Sequence, residues 1–389
     1  MEKDMATDCA QEIMTDFAMR TGLAPVSVHP RRYLWTDAFA VCNYLSFFQS
    51  TGDKTWRDLG LRLIDQVHHT LGQHREDDSR TGWISSLDKT AGELHPTAGG
   101  LRIGKEEDER RAHEGYDERG EWDRDGQYYH YLTKWMHALS RASCVTSDPR
   151  YAQWAVELAQ IAHAAFTYIP VPGGRKRMFW KMSIDLSHPL VPSMGQHDPL
   201  DGLVTYNELQ ATAARIRGQP VLPVLDIEIA DMAAICRGVN WTTDDPLGIG
   251  GLLSDAFMIA RLIDEEGLPY AALLGSVVDA VRVGLDAFAR SGTLGLSATD
   301  RLAFRELGLA IGLVATKNLS QWISESSPTY GKDLGRQVET LARYLPVGEA
   351  ILQFWMNERH QKVTTWTGHR EINMVMLATS LAPDGFLAL

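Results

Sequence analysis

The sequence predicts an all-α protein built from helical hairpins, and two observations support this fold class. Apolar residues recur at helical spacing through most of the 389 residues, in about twelve separate stretches. Two of the connections between stretches are near copies, Thr51-Gly52-Asp53-Lys54-Thr55-Trp56 and Thr146-Ser147-Asp148-Pro149-Arg150-Tyr151. A turn that recurs between helices is typical of a helical-hairpin repeat.

The recurring turn has the chemistry of a helix start. Asp53 and Asp148 can each cap the following helix, because a carboxylate accepts hydrogen bonds from the free N–H groups of the first turn. Pro149 then falls at the first helical position, where its missing N–H costs nothing. An aromatic residue, Trp56 or Tyr151, lies three residues past the cap, where it can hold the second helix against the first.

The helical stretches follow one another along the whole chain. In order they are 5–21, 35–50, 54–72, 126–145, 149–167, 200–216, 223–238, 249–265, 269–290, 301–318, 334–357 and 368–381. We expect the eleventh to be broken at Pro346. Strand patterns are rare, and the best lies in 168–188, where prolines and a glycine pair precede an apolar segment. It predicts a short β-hairpin inside a long loop.

The connections alternate between short and long. Tight turns follow the second, fourth, sixth and eighth helices, at 51–53, 146–148, 217–222 and 265–268. Other connections are long, notably 74–125 and 168–199, and long loops within a compact chain are usually functional. Helices paired in this way describe a ring of hairpins whose even-numbered helices form the inner layer. No Pro/Ser-rich linker divides the chain, so we expect one domain over 1–389.

Composition excludes several classes of function. The chain has 38 Lys and Arg residues against 50 Asp and Glu residues, a net charge of −12, which disfavours binding to nucleic acid or to an anionic membrane. No secretory segment or long apolar run is evident, so we expect a cytoplasmic protein. The four cysteines are scattered, and nucleotide-binding, zinc-protease and serine-hydrolase motifs are absent. We therefore expect no metal and no cofactor.

Six hairpins with repeated Gly/Ser-Asp-x-x-aromatic turns resemble the six-hairpin glycosidase superfamily, whose fold is the (α/α)6 toroid. This superfamily contains glycoside hydrolases, unsaturated-uronyl hydrolases, and the N-acylglucosamine and cellobiose epimerases. The resemblance covers nearly the whole chain. It implies an (α/α)6 toroid of about twelve helices and a small saccharide as the substrate.

In such a toroid the long loops meet the inner helices at one mouth, so chemistry is expected where inner helices start. The start at 196–202 is the most suggestive, because acid and imidazole groups there can provide an acid/base pair or hold sugar hydroxyls. The alternative is a simple turn with a capping residue. With the preceding loop, this start supplies Gln196, His197, Asp198, Asp201, Trp180 and Lys181.

The start of a second inner helix carries two carboxylates. Asp123 and Asp125 lie two residues apart, so one can act as a general acid with a raised pKa while the other stays ionised. Alternatively, Arg124 neutralises both as a surface cluster. Asp37, at the start of the first inner helix, is a further candidate acid. Substrate contacts are expected from aromatic rings at these starts, which can stack on the apolar faces of sugars: Trp35, Trp122, Tyr128, Trp180 and Trp366.

A third start, 366–371, carries a histidine. The last inner helix of an epimerase-like toroid has a catalytic histidine near its start, and the resemblance places His369 in the comparable position. Arg370 and Glu371 are candidate substrate contacts or, alternatively, a simple ion pair.

Three functions remain open from the sequence. The first is a glycoside hydrolase acting on a small oligosaccharide, in which one carboxylic acid protonates the leaving oxygen and a second carboxylate activates water. The alternative is a sugar epimerase or isomerase, in which His197 and His369 exchange a proton next to a carbonyl group without an added cofactor. The third is a non-catalytic toroid that binds a glycan or a protein. In the enzymes, the 74–125 loop can act as a lid.

Overall fold

The computed structural model describes residues 3–111, 114–216, 223–325 and 327–388. The chain divides into two compact units. Unit A is Ala18–Val239, and unit B combines Met1–Phe17 with Asn240–Leu389. The expectation of a single domain over 1–389 stays a prediction.

Long helices dominate the first part of the chain. They are α1 Lys3–Arg20, α2 Leu34–Thr51, α3 Lys54–Leu71, α4 Lys89–Leu94, α5 Glu118–Glu121, α6 Tyr129–Thr146, α7 Pro149–Phe166, α8 Asp198–Arg215 and α9 Asp226–Cys236. Five short strands accompany them: β1 Gln127–Tyr128, β2 Thr167–Tyr168, β3 Arg177–Met178, β4 Lys181–Met182 and β5 Pro189–Val191. The strands form an antiparallel sheet in the order β1-β4-β5 and a separate antiparallel pair, β2-β3.

The second part of the chain contains helices among its described residues and none of these strands. The helices are α10 Pro246–Glu266, α11 Ala271–Arg290, α12 Ala303–Glu325, α13 Ser327–Leu341, α14 Leu345–Met356, α15 Thr364–Thr367, α16 Arg370–Leu381 and α17 Asp384–Leu387. Helix α10 is long and apolar enough to cross a membrane, yet most of it is buried within unit B, as expected of a core helix.

Each predicted helix has a counterpart. The eleventh is divided into α13 and α14, with Pro346 in the first turn of α14, where proline is tolerated. The β-hairpin predicted within 168–188 is confirmed by the β2-β3 pair, in which Thr167 lies opposite Met178. Helices α4, α5, α15 and α17 were not predicted, because four to six residues are too few to show a helical period.

The recurring turn forms as its residues predict. Asp53 accepts a hydrogen bond from the Thr55 N–H at 2.9 Å, and Asp148 accepts one from the Arg150 N–H at 3.0 Å. The Trp56 ring packs on the preceding helix α2. These contacts make α2-α3 and α6-α7 helical hairpins within unit A. The turn predicted at 217–222 lies outside the described residues.

The first helix of each hairpin is the more deeply buried. Helix α2 buries every side chain from Leu34 to Leu45, whereas α3 buries only one face. Helix α8 is buried without interruption from Asp198 to Leu209. Polar residues in α2, α6 and α8 are therefore removed from water and must find partners within the protein.

Candidate active site

The starts of α6 and α8 meet in unit A, and they bring a histidine and an acid together. His130 lies in the first turn of α6, and Asp198 is the first residue of α8. The distance from His130 Nδ1 to Asp198 Oδ1 is 3.7 Å. The side chain of Asp198 is 7% exposed, and that of His130 is 30% exposed. The carboxyl group of the pair is thus buried, whereas part of the imidazole ring is accessible to solvent.

Two atoms of this pair are left unsatisfied. Asp198 Oδ2 and His130 Nδ1 are both buried, and neither has a hydrogen-bond partner among the described residues. The local backbone explains how Asp198 comes to be sealed: Gly195 crosses so close that a Cβ there would lie 2.4 Å from Asp198 Oδ2. Since Nδ1 is buried, the exposed part of the His130 ring consists of its other atoms.

The surroundings set the protonation states of both groups. Burial raises the pKa of Asp198 to about 8, with the neighbouring Asp201 carboxylate as the second cause, against the opposing effects of Lys134 and the Gly195 backbone N–H. Burial lowers the pKa of His130 to about 4. At neutral pH, Asp198 therefore holds a proton and the imidazole is neutral. A proton donor lies beside a base.

Aromatic rings line the approach to His130. The rings of Tyr128 and Trp180 stack with centroids 5.1 Å apart, and the Trp180 ring lies parallel to that of His130 at 6.4 Å. Trp122 meets Trp180 edge-on at 4.8 Å and is 46% exposed. These rings form a partly open apolar wall, of the kind that binds the C–H face of a sugar.

Tyrosines extend this wall toward α2. Tyr131 packs at right angles to the His130 ring, 4.8 Å away, and its hydroxyl lies 2.6 Å from that of Tyr33. Trp35, which is almost fully buried, lies 6.5 Å from Tyr131. We refer to Tyr33, Trp35, Trp122, Tyr128, Tyr131 and Trp180 as the aromatic wall.

Asp201 lies one turn beyond Asp198 and is held by α6. Its Oδ2 accepts a hydrogen bond from the Thr133 hydroxyl at 2.6 Å, and its Oδ1 lies 2.5 Å from Lys134 Nζ. Asp201 is 7% exposed, so this is a nearly buried ion pair. The contact fixes α8 against α6 next to the His130–Asp198 pair.

Asp125 and Asp123 have opposite environments. The Asp125 carboxylate is fully buried, lies 2.5 Å from Arg102 Nη1, and accepts hydrogen bonds from the N–H groups of Gly104 and Gly126 at 3.0 Å. These contacts are those of an anchor for the loop before α6. Asp123 is exposed. Arg124 does not neutralise the two acids through any described contact and pairs with Glu114.

Lys181 is committed to backbone and carboxylate partners. Its buried ammonium donates hydrogen bonds to Glu121 Oε1 at 2.9 Å, to the Glu121 carbonyl at 2.7 Å and to the Arg124 carbonyl at 2.9 Å. All three donors of a lysine are thereby used. The contacts tie β4 to the segment before α6 and support the aromatic wall from behind.

Asp37 is buried at the start of α2 beside an arginine. Its Oδ2 accepts the Tyr33 N–H at 2.9 Å, and its Oδ1 lies 3.5 Å from Arg32 Nη1. Burial raises the pKa of Asp37 to about 6, against the lowering effect of Arg32. The geometry suits a buried ion pair better than a group that contacts a ligand.

Gln196 and His197 form the turn that leads into α8. Gln196 is exposed and His197 is half-buried. The His197 carbonyl accepts hydrogen bonds from the N–H groups of Leu200 and Asp201, both at 3.0 Å. The turn predicted as part of the alternative is present, but the His197 side chain makes no capping hydrogen bond to α8.

Four predicted site residues belong to unit B. Trp366 is buried and stacks on Trp355, with ring centroids 5.7 Å apart. His369 is exposed, directly precedes α16, and lies 5.6 Å from the Phe304 ring. The other two, half-buried in the first turn of α16, are Arg370 and Glu371.

His130 was not among the residues predicted from the sequence, although a signal was present. It lies in the run Tyr128-Tyr129-His130-Tyr131, which directly follows the predicted helix start at 122–128. Polar residues then recur at helical spacing at 130, 133, 134 and 137. When polar residues line one face of a helix that is expected to be buried, they must form hydrogen bonds or ion pairs with polar residues of a neighbouring helix. Among the described residues, no cluster of His, Cys, Asp and Glu could hold a metal ion.

Comparison with known proteins identifies the fold. No family model matches the sequence, and no curated protein does. Among solved structures, cellobiose 2-epimerase from Spirochaeta thermophila DSM 6192 is similar, with a TM-score of 0.50 and 12% identity over 96% of this chain and 98% of that chain. A sugar epimerase from a ruminal bacterium aligns with a TM-score of 0.44 and 9% identity over 81% of this chain and 75% of that chain.

At 12% identity, the first likeness is evidence of the fold alone. The predicted fold class, an all-α (α/α)6 toroid, is confirmed by it.

Proposed function

We propose that this protein is a carbohydrate-active enzyme, and specifically a sugar epimerase in which His130 moves the proton. The observation that carries the proposal is the His130–Asp198 pair: a neutral imidazole open at one edge, 3.7 Å from a sealed carboxyl group that holds a proton at neutral pH. The aromatic wall beside it offers flat apolar surfaces for a sugar.

The chemistry follows from the two protonation states. His130 takes the proton from the sugar carbon next to the carbonyl group, and the electrons of that C–H bond pass to the carbonyl oxygen to give an enediolate. The ring becomes an imidazolium that carries this proton, while Asp198 keeps its own proton. Once the enediolate has turned its other face to the ring, the imidazolium returns the proton to that face and the carbonyl group re-forms. The configuration at the carbon is then inverted, His130 is neutral again, and no net oxidation occurs.

Epimerisation fits these groups better than hydrolysis. A glycoside hydrolase needs two free carboxyl groups, one protonated and one ionised. Of the predicted acids, Asp125 and Asp37 are paired with arginines, and Asp123 is exposed. Asp198 can serve as the protonated acid, but no described contact sets a free, ionised carboxylate opposite it. The neighbour with the same fold is named a cellobiose 2-epimerase, which favours the same interpretation.

The proposed substrate is a small reducing saccharide. Trp122 and Trp180 present open ring surface on which a sugar can stack. Of the cations near the aromatic wall, Lys134 and Lys181 are engaged by carboxylates, whereas Lys105 lies 5.5 Å over the Tyr33 ring. The cytoplasm is our expected location, because this chemistry needs neither a membrane nor an oxidising compartment.

A product assay in D2O tests the proposal. Purified protein is incubated with glucose, N-acetylglucosamine and cellobiose, and NMR follows the appearance of the epimer and of deuterium at the carbon next to the carbonyl group. A parallel assay follows release of nitrophenol from nitrophenyl glycosides. We expect epimer and deuterium without glycoside cleavage; cleavage without epimer contradicts the proposal, and neither activity leaves the binding toroid as the better hypothesis.

Substitution then assigns the residues. We expect His130→Asn to lower kcat by about 100-fold or more, the usual contribution of a general base. His29→Asn, an exposed histidine of the same unit, is the matched control and should keep full activity. The predicted role of His369 is a separate proposal, tested in the same way by His369→Asn. An active His130→Asn variant removes His130 from the mechanism.

A further inference from the structure

We infer that the Lys134–Asp201 ion pair controls whether Asp198 holds its proton, and that both residues are positioning residues for the reaction. The inference rests on the proposed function for its catalytic meaning. Its physical content concerns only four side chains of α6 and α8, and it can be measured without a substrate.

The geometry places two acids on one side of α8. Asp198 and Asp201 are three residues apart, so their side chains are neighbours on the helix surface. Lys134 Nζ lies 2.5 Å from Asp201 Oδ1, and the Thr133 hydroxyl lies 2.6 Å from Asp201 Oδ2. Lys134 and Asp201 therefore form an ion pair, and the Thr133 hydroxyl holds the same carboxylate in place.

An ionised Asp201 makes a second charge at Asp198 unfavourable. Two adjacent buried carboxylates repel each other, so the one with fewer partners keeps its proton. Asp198 is that one, because its Oδ2 has no hydrogen-bond partner among the described residues. A buried, unpartnered carboxyl oxygen is far less costly on a neutral acid than on an anion.

The groups that face Asp198 come from α6, from α8 and from the turn before α8. Helix α6 contributes His130, Lys134 and Tyr129, α8 contributes Asp201, and the turn contributes the Gly195 N–H. The positive N-terminal end of α8 favours the ionised form of Asp198. It therefore opposes the effect of the Asp201 carboxylate, which raises the pKa of Asp198. Burial and Asp201 together prevail over Lys134 and the Gly195 N–H.

Removing either member of the ion pair has opposite consequences. In Lys134→Met the cation disappears while Asp201 stays anionic, so the pKa of Asp198 rises. In Asp201→Asn the neighbouring anion disappears while Lys134 remains, so the pKa of Asp198 falls. We expect each shift to be about one unit, as is usual for one adjacent charge. If both substitutions acted only by loosening the α6-α8 contact, the two shifts would have the same sign.

The experiment is a carbon-13 NMR titration of the Asp198 carboxyl group in the full chain without substrate. Aspartate is labelled at the side-chain carboxyl carbon, and Asp198→Asn identifies the signal. Ser140→Ala, an uncharged change further along the α6-α8 interface, is the matched control and should leave the pKa within about 0.3 unit. Shifts of the same sign, or shifts no larger than the control's, overturn the inference.

Two further readouts keep the inference separate from the proposed function. If Asp201→Asn does not fold, the Lys134→Met variant still tests the inference, because the pKa of Asp198 should rise in it. In the active enzyme, the high-pH limit of kcat should move in the same directions as the titration. Opposite NMR shifts in a protein without epimerase activity would uphold the tuning and refute the proposed function.

Discussion

Two helix interfaces of similar length are held by different forces. In unit A, α6 and α8 face each other through polar pairs, Thr133–Asp201, His137–Glu208 and Ser140–Thr212. In unit B, α10 and α12 meet through glycine. A Cβ at Gly250 would lie 2.1 Å from the Gly308 carbonyl oxygen, and one at Gly312 would lie 2.5 Å from the Gly250 carbonyl oxygen.

The difference indicates which interface carries chemistry. A glycine contact needs only shape, because backbones pack closely wherever side chains are absent. A buried polar interface must satisfy every donor and acceptor, and each unsatisfied group costs about 1–3 kcal/mol. The polar pairs satisfy the hydrogen-bonding groups along most of the α6-α8 interface. At one end, the buried atoms His130 Nδ1 and Asp198 Oδ2 have no hydrogen-bond partner among the described residues. Buried polar atoms without partners beside an open aromatic wall are typical of a functional site.

The largest effect is expected at the buried His137–Glu208 pair. Burial alone would lower the pKa of His137, but Glu208 and a hydrogen bond with Cys42 raise it to about 10. Glu208→Ala leaves the imidazole buried without its partner, and the free energy of unfolding should fall by about 3–5 kcal/mol. Urea unfolding at pH 6 measures the loss. Replacing both residues, as His137→Leu with Glu208→Met, should restore most of it.

The same pair predicts a pH dependence with a definite sign. Because the folded pKa of His137 lies above its ordinary value of 6.5, the stability it contributes is complete below pH 6.5 and is lost as pH rises toward about 10. Glu208→Ala should flatten this part of the stability profile. A profile unchanged by the substitution would contradict the ion pair.

The glycine interface should break when a methyl group is added. In Gly250→Ala the new Cβ meets backbone atoms of α12, which cannot rotate away, so we expect a loss of about 3 kcal/mol in the free energy of unfolding. Gly251→Ala is the matched control, because a Cβ there meets nothing within 4 Å. It should stabilise the protein by up to about 1 kcal/mol. Equal effects at the two positions would refute the close contact.

Asp198 should lower stability as pH rises, with the same sign as His137 but over a lower pH range. Its folded pKa of about 8 lies above its ordinary value of 3.8, so the unfolded chain releases this proton first and stability falls between about pH 4 and pH 8. Asp198→Asn does not titrate. Its stability relative to the wild type should therefore rise across this range by several kcal/mol, since each unit of the pKa difference corresponds to about 1.4 kcal/mol. A constant difference would show that Asp198 is ionised when folded.

The smallest effect is expected at the rim of the aromatic wall. Trp122 is 46% exposed, so Trp122→Ala removes stacking surface with little change in the core. KM for the saccharide should rise about threefold to tenfold, since one aromatic contact contributes about 1 kcal/mol. Trp122→Phe, which keeps a ring, should lie closer to the wild type. A change in kcat with constant KM would contradict a binding role.

The helices were predictable because their signals are local. The caps at Asp53 and Asp148 use residues within three positions of one another, and the apolar spacing of α2 or α10 is visible in any window of eighteen residues. The anchoring role of Asp125 was not predictable. Its partner Arg102 lies 23 residues earlier, and nothing in the spacing identifies that pair.

One member of the His130–Asp198 pair could be predicted from the sequence and the other could not, because only the signal for Asp198 is local. Asp198 stood out because an acid beside a histidine at a helix start is a recognisable pattern. The observed histidine neighbour of Asp198, His130, lies 68 residues earlier on another helix. The role predicted for His197 stays a prediction. Pairing across α6 and α8 depends on the register of two packed helices, which a single sequence does not display.

The protonation state of His130 tests the central claim most directly. In protein labelled at the histidine rings, NMR resonances that change in His130→Asn identify the residue, and their shifts report its charge. We expect a ring that stays neutral from pH 8 to about pH 5 and takes up a proton near pH 4. A ring already protonated at pH 7 would contradict a role for His130 as the base, because a charged imidazole cannot remove a proton from a sugar.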